Sequence, residues 1–212
     1  MKKIIFSLLL ACIFAGQCFA YVLMTPAAMG TDNIAVQIFS SSTPIKLADS
    51  KMLMYGPKMI YGLTDDWDLI AKLGNVTTNL SGSDSGATDI GIAGKYTIPR
   101  SKFKTPADVD LAAVIGYDLI SGKDIDWTMT SVGLIGSKTL KTNLDVYAAL
   151  YYMMNNNKFT GGRSENSNNS LWGLGAKYQF NKKFSGLMEI MNYLMSGDAY
   201  QTFSFAVQYE MQ

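Results

Sequence analysis

From residue 33 onward, large apolar side chains fall at every second position, with small or charged ones between them. A period of two is the signature of a half-buried strand. The runs stop at Gly, Asn, Asp, Ser or Pro, which supply turns. The pattern predicts ten strands, over 33–40, 52–63, 67–74, 88–98, 108–120, 126–138, 143–155, 170–180, 184–195 and 200–211.

Six of these separate cleanly into two faces. The third puts Trp67, Leu69, Ala71 and Leu73 opposite Asp68, Ile70, Lys72 and Gly74; the fourth puts Ile90, Ile92, Tyr96 and Ile98 opposite Asp89, Gly91, Ala93 and Lys95. The fifth, seventh, eighth and tenth behave alike, setting Ile115, Leu150, Trp172 and Phe205 against Asp118, Asp145, Lys177 and Glu210. The apolar faces of the six carry no charge. The opposite faces are rich in Gly, Ala, Ser and Thr, where a solvated sheet would favour Lys, Glu, Thr and Gln. Small residues there fit a narrow lumen, and a charge-free apolar face fits lipid. Trp67, Tyr96, Trp172, Tyr178 and Tyr209 lie toward strand ends, where an interfacial aromatic girdle belongs. The sixth and ninth strands are mixed: Trp127, Met129 and Ile135 oppose Val132 and Leu134, and Glu189 shares a face with Leu187 and Met191. A bulge or a hydrophobic patch in the lumen accounts for either.

The connections alternate in character. One set is short or basic, at 63–66, 99–106, 139–142 and 181–183; the other includes long, neutral stretches at 40–51, 75–87 and 155–169. Short periplasmic turns and long outer loops are the asymmetry of an outer-membrane barrel. The expectation is an all-β, single-domain, antiparallel up-and-down barrel of about ten strands in a bacterial outer membrane, with outer-membrane lipid and lipopolysaccharide as its surroundings and 155–170 as a solvated loop or, alternatively, a contact surface.

The first twenty residues are read apart from it. Lys2 and Lys3 precede an apolar run, and Cys18-Phe19-Ala20 ends in a small residue, which is the pattern of a secretory signal peptide cleaved after Ala20. Residues 1–20 are thus a predicted signal peptide and 21–212 the barrel domain. Both cysteines fall in the first segment, and without Lys2 and Lys3 the 18 basic residues become 16 against 17 acidic, a net of −1. Only 17% of residues are charged, against about a quarter in soluble domains. The near-neutral balance argues against nucleic acid as a partner. The absence of histidine removes Ser-His and Cys-His catalysis and His-ligated metal.

Residues 61–69 (Tyr-Gly-Leu-Thr-Asp-Asp-Trp-Asp-Leu) and 88–96 (Thr-Asp-Ile-Gly-Ile-Ala-Gly-Lys-Tyr) resemble the strand-turn-strand and D-x-G-x-x-x-K-Y pattern of small outer-membrane barrels, nearest the phenol-degradation MetA-pathway family. The resemblance implies an outer-membrane location and a transport role, and supplies no catalytic residues. Such barrels end in an aromatic residue that the barrel-assembly machinery reads as its partner; this chain ends Met211-Gln212.

Candidate chemistry lies on the polar face. Lys58, Asp68, Lys72, Asp89, Lys95, Asp108, Asp110, Asp118, Asp145, Lys177, Glu189 and Glu210 are placed in the lumen, eight acids and four lysines. They form either a cation-leaning pore lining or an ion-paired network that plugs a narrow barrel. Asp65-Asp66 and 124–126 have oxygen ligands but no calcium-loop spacing. No metal, cofactor or catalytic residue is expected, and the chain is not expected to be an enzyme. The expected function is a small transport or diffusion channel for a small solute, with a closed structural or surface-interaction barrel as the alternative.

Overall fold

The computed structural model describes residues 23–45, 50–80, 83–101, 103, 108–123, 125–159, 164–195 and 198–211. The expected signal peptide, Asp124 and the Gly161-Gly162-Arg163 tip lie outside them. Ten strands follow in order: β1 (Ile34–Ile45), β2 (Ser50–Gly62), β3 (Trp67–Leu80), β4 (Ser83–Ile98), β5 (Asp110–Gly122), β6 (Ile125–Lys141), β7 (Leu144–Phe159), β8 (Ser164–Gln179), β9 (Phe184–Met195) and β10 (Asp198–Met211). Each pairs antiparallel with its neighbour, and β1 pairs with β10 from Ile34↔Met211 to Ser42↔Phe203, closing the barrel. At the level of the apolar band closure gives every strand a partner on both sides, which a sheet surrounded by hydrocarbon requires.

The faces point as the alternation demands. Ile38, Ile90, Ile92, Ile115, Leu134, Leu150, Leu174, Phe205 and Val207 project outward and are each more than half exposed. Asp68, Asp89 and Asp118 on the opposite parity are fully buried. No soluble protein leaves such a continuous apolar band in water. The band ends where the outward residues turn polar: Lys51, Asn75, Thr88, Ser121, Asn156 and Ser170 mark its outer edge. Trp67 and Tyr96 stack at 4.9 Å on its periplasmic edge, as do Phe184 and Tyr209. Tyr178 also lies at this edge, and Trp172 belongs to a higher ring with Tyr55, Tyr117 and Tyr152, all 43–52% exposed.

Three expectations are corrected. The long outer loops are mostly strand: β3 continues to Leu80, β7 to Phe159, and β8 begins at Ser164. Their Ser, Thr and Asn side chains are neutral to the ladder, so backbone pairing carries on past the lipid band. The fifth strand begins at Asp110 and not at 108, because Asp108 has a positive φ of 54° and cannot join a ladder. The mixed sixth and ninth strands are not explained by bulges; the one register shift of β6 lies beyond the mixed region, between Thr139 and Lys141.

The chain enters β1 from inside the barrel. A turn at 30–33 reverses it, with Gly30 at φ 79° and Asp32 at φ 61°. Asp32 N–H donates to Gly62 O and Gly62 N–H to Asn33 O, both at 2.9 Å. A Cβ on Gly62 would sit 1.8 Å from the Gly30 carbonyl oxygen, so that approach requires glycine. The Tyr61 hydroxyl to Asp32 (2.7 Å) and the Thr31 hydroxyl to Asp65 (2.9 Å) pin the turn to the β2–β3 connection.

Candidate functional site: the lumen and the segment inside it

The lumen has two unlike walls. Strands β2–β5 contribute Lys58, Asp68, Lys72, Asp89, Lys95 and Asp118, each at most 4% exposed. Strands β6–β9 contribute Trp127, Met129, Ile135, Tyr147, Tyr151, Met153, Leu171, Leu187 and Met191, all buried, with Glu189 the one buried charge among their described residues. The hydrophobic patch that makes β6 and β9 look mixed is therefore an apolar wall facing a charged one. This corrects the picture of an otherwise small, polar lumen: the interior of a narrow barrel is filled by side chains, and on β6–β9 those are large and apolar.

The charged wall is organised by register. Lys72 on β3, Gly91 on β4 and Asp118 on β5 lie in one row. Lacking a side chain, Gly91 lets the Lys72 ammonium reach over it to Asp118 at 2.8 Å while also meeting Asp89 at 2.5 Å. Asp68 and Lys95 are directly opposite on β3 and β4 and pair at 2.9 Å. Lys58 faces Lys72 across β2 and β3, an unfavourable like-charge pair. Lys72 is offset by its two carboxylates, and Lys58 by a carbonyl from the segment described next.

Residues 23–29 run up the lumen from the periplasmic rim. Leu23 is fully buried and Met24 is 3% exposed. Leu23 N–H donates to Glu189 at 3.2 Å, and its carbonyl accepts from Lys58 and Gln37, each at 3.3 Å. The Lys95 ammonium donates to Thr25 O at 2.9 Å and Ala27 O at 2.6 Å. The Thr97 hydroxyl donates to Pro26 O at 2.5 Å, and Met29 N–H donates to Asp68 at 3.0 Å. Below the segment a cavity of about 170 Å³ is bounded by Met29, Lys95, Lys177, Gln208 and Glu210. Nothing in the alternation of residues 33–211 points to this occupant. The sequence signal was negative: a stretch before the first strand with Pro26, Ala27, Ala28 and Gly30 and no period of its own.

Glycines complete the fit. A Cβ at Gly175 would lie 2.2 Å from the Tyr147 ring, and one at Gly133 2.3 Å from the Tyr151 ring, so both tyrosines lie flat over the strand that faces them. A Cβ at Gly91 would lie 2.1 Å from Asp118 Oδ1 and 3.0 Å from the Lys72 chain. Gly91→Ala is expected to push the ion pair apart and destabilise the barrel by about 1–3 kcal/mol, read as a lower urea midpoint in detergent. Gly86→Ala, on an outward position whose nearest neighbour is 4.0 Å away, serves as the control.

Not every charge expected in the lumen lines it. Asp110 sits at the periplasmic rim, its side chain 34% exposed and paired with Arg100 at 2.7 Å. Asp108 lies outside the strand, and its carbonyl accepts from Arg100 at 3.0 Å. Asp145 accepts from the Thr139 hydroxyl at 2.6 Å at the same rim. Lys177 pairs with Glu210 at 3.1 Å, both partly exposed. These four strand charges lie within three residues of a strand end, where water still reaches; Asp110 and Asp145 form a rim, while Lys177 and Glu210 bound the cavity. Asp65 is a turn residue. Among the described residues no group of three or more acidic, Cys or His side chains could hold a metal ion.

A closed antiparallel barrel with an unbroken apolar belt, aromatic rings at both edges and its charges turned inward is an outer-membrane β-barrel, and it belongs to the bacterial outer membrane. The chain matches no protein-family model and no curated protein sequence. Solved structures share its fold. The translocator domain of the autotransporter NalP from Neisseria meningitidis is 13% identical, with a TM-score of 0.52 over 98% of this chain and 95% of that one. An outer membrane channel from Pseudomonas putida F1 is also 13% identical, with a TM-score of 0.51 over 91% of this chain and 97% of that one. At that identity the likeness extends to the fold alone.

Proposed function

We propose that the protein is a closed, ion-paired outer-membrane barrel that presents its outer hairpins at the cell surface, and that it is neither a standing-open pore nor an enzyme. The observation that carries this reading is the Lys72 ammonium held between Asp89 and Asp118 inside the lumen, with all three side chains at most 1% exposed. A hydrated pore would leave those groups wet. The apolar wall of β6–β9 and residues 23–29 take up the space that remains. What the barrel offers to the outside are β-hairpins that rise above the lipid band, with Asn156, Asn166 and Asn168 on the outward face of β7 and β8, while Asn155, Asn157 and Asn169 are buried. Amide side chains on a rigid ladder suit hydrogen bonding to sugar or protein at the lipopolysaccharide surface.

The full chain, refolded and added to a planar bilayer, is expected to produce no stable current steps. Reproducible steps from the unmodified protein would overturn the reading. A gated channel for a small solute is the second reading, favoured by the cavity under residues 23–29 and by the fold shared with an outer membrane channel. Liposome swelling in sugars of increasing size separates the two: uptake through the unmodified protein supports the channel.

A further inference from the structure

Seven hydrogen bonds tie barrel side chains to residues 23–29, and all seven go to the main chain of the segment. Cations and hydroxyls take its carbonyls (Leu23, Thr25, Pro26, Ala27), and carboxylates take its N–H groups (Leu23, Met29). The side chains of Ala27, Ala28 and Met29 contribute nothing to these bonds and are not buried. Leu23 and Met24 are buried in the apolar cluster, Met29 packs against it, and Pro26 is buried as well. Buried lysines are costly unless satisfied, yet Lys95 spends two of its three N–H groups on carbonyls of a segment that belongs to no strand. Such a set of groups reads the main chain of an irregular, strandless segment, and side-chain packing adds to it at Leu23, Met24, Pro26 and Met29.

We propose that the periplasmic half of the lumen is a binding site for a polypeptide main chain, which the protein occupies with its own residues 23–29. The ligand class is a short, uncharged peptide entering from the periplasmic rim with apolar residues first. The site stands apart from the closed-barrel reading, since its occupancy can be measured whether or not the lumen conducts. Covalent attachment through the 30–33 turn gives the native segment an effective concentration in the millimolar range, so a free peptide competes only when that attachment is cut. Every strand begins at or after Ile34, so a cut in the turn removes no strand residue.

The test uses the full chain with a protease recognition site inserted between the exposed Thr31 and Asp32. The barrel is folded in detergent and cut, and a fluorescently labelled peptide with the sequence of residues 23–29 is added. Anisotropy is expected to show saturable binding after cutting and none before. Replacing Thr25 by Ser and the exposed Ala27 by Ser in the peptide should change affinity less than about threefold. N-methylation of the Met29 nitrogen, which removes the donor to Asp68, should weaken it at least about tenfold (roughly 1.4 kcal/mol). Lys95→Met in the barrel should do the same, and Thr97→Val, at the rim, provides a milder variant if Lys95→Met does not fold. Three outcomes overturn the proposal: no binding to the cut barrel, binding unchanged by N-methylation and by both barrel variants, or loss of the β-sheet circular dichroism on cutting, which would make the segment a structural core element and not a ligand.

Discussion

Ile115→Arg is expected to destabilise the inserted barrel by roughly 2–4 kcal/mol. Ile115 projects outward from the middle of β5, is 58% exposed, and is flanked across the ladder by Gly94 and Val132. In water that exposure would make arginine nearly free, since surface substitutions usually stay within about 0.5 kcal/mol. In lipid the guanidinium must be carried into hydrocarbon or must drag water toward it. Ser121→Arg, on the same outward parity but beyond the lipid band, should cost about 0–1 kcal/mol. Urea unfolding in phosphatidylcholine vesicles, followed by tryptophan fluorescence, measures both. A cost below about 0.5 kcal/mol at Ile115 would mean that the outer face does not meet acyl chains, and the membrane assignment would fail with it.

Lys72→Met should be the most damaging single change inside the lumen, costing about 3–5 kcal/mol. The substitution keeps most of the volume but leaves the Asp89 and Asp118 carboxylates facing one another with no cation between them. Most of the loss comes from two buried charges left uncompensated, not from the worth of the original pair. The triple variant Lys72→Met/Asp89→Asn/Asp118→Asn removes all three charges and should recover most of the stability. The same urea titration distinguishes a dry lumen from a wet one. If water fills the barrel, the carboxylates are screened and the single variant behaves like an exposed salt bridge, within about 1 kcal/mol of the parent. That result would sink the closed-barrel reading while leaving the fold intact.

Much of the architecture was legible in the alternation. The number of strands, their order and the outward direction of Trp67, Ile92, Leu150 and Phe205 follow from a period of two, because successive side chains on a strand must point to opposite faces. The inward direction of Asp68, Lys72, Asp89, Lys95 and Asp118 follows in the same way, and hydrocarbon outside leaves them nowhere else to go. Strand ends were less legible. The β7–β8 hairpin is built from Asn and Ser, which carry turn propensity, yet ladder pairing with a neighbour already in place outweighs that local preference. Tyr147 and Tyr151 share the parity of Asp145, so the alternation already turns them inward; what it does not reveal is the room for their rings, which Gly175 and Gly133 supply. Trp127 was the hardest to place, because its strand is mixed.

By itself the sequence determined which side of the six cleanly alternating strands meets lipid, since that depends on residues two apart and on the dielectric outside the barrel. What stands across the lumen was decided by the tertiary structure alone. Leu23 meets Glu189 over a separation of 166 residues, and Lys95 meets Thr25 over 70. No local pattern encodes such contacts; they exist because closure of the sheet brings a charged wall and an apolar wall together and leaves between them a space that a strandless segment fills.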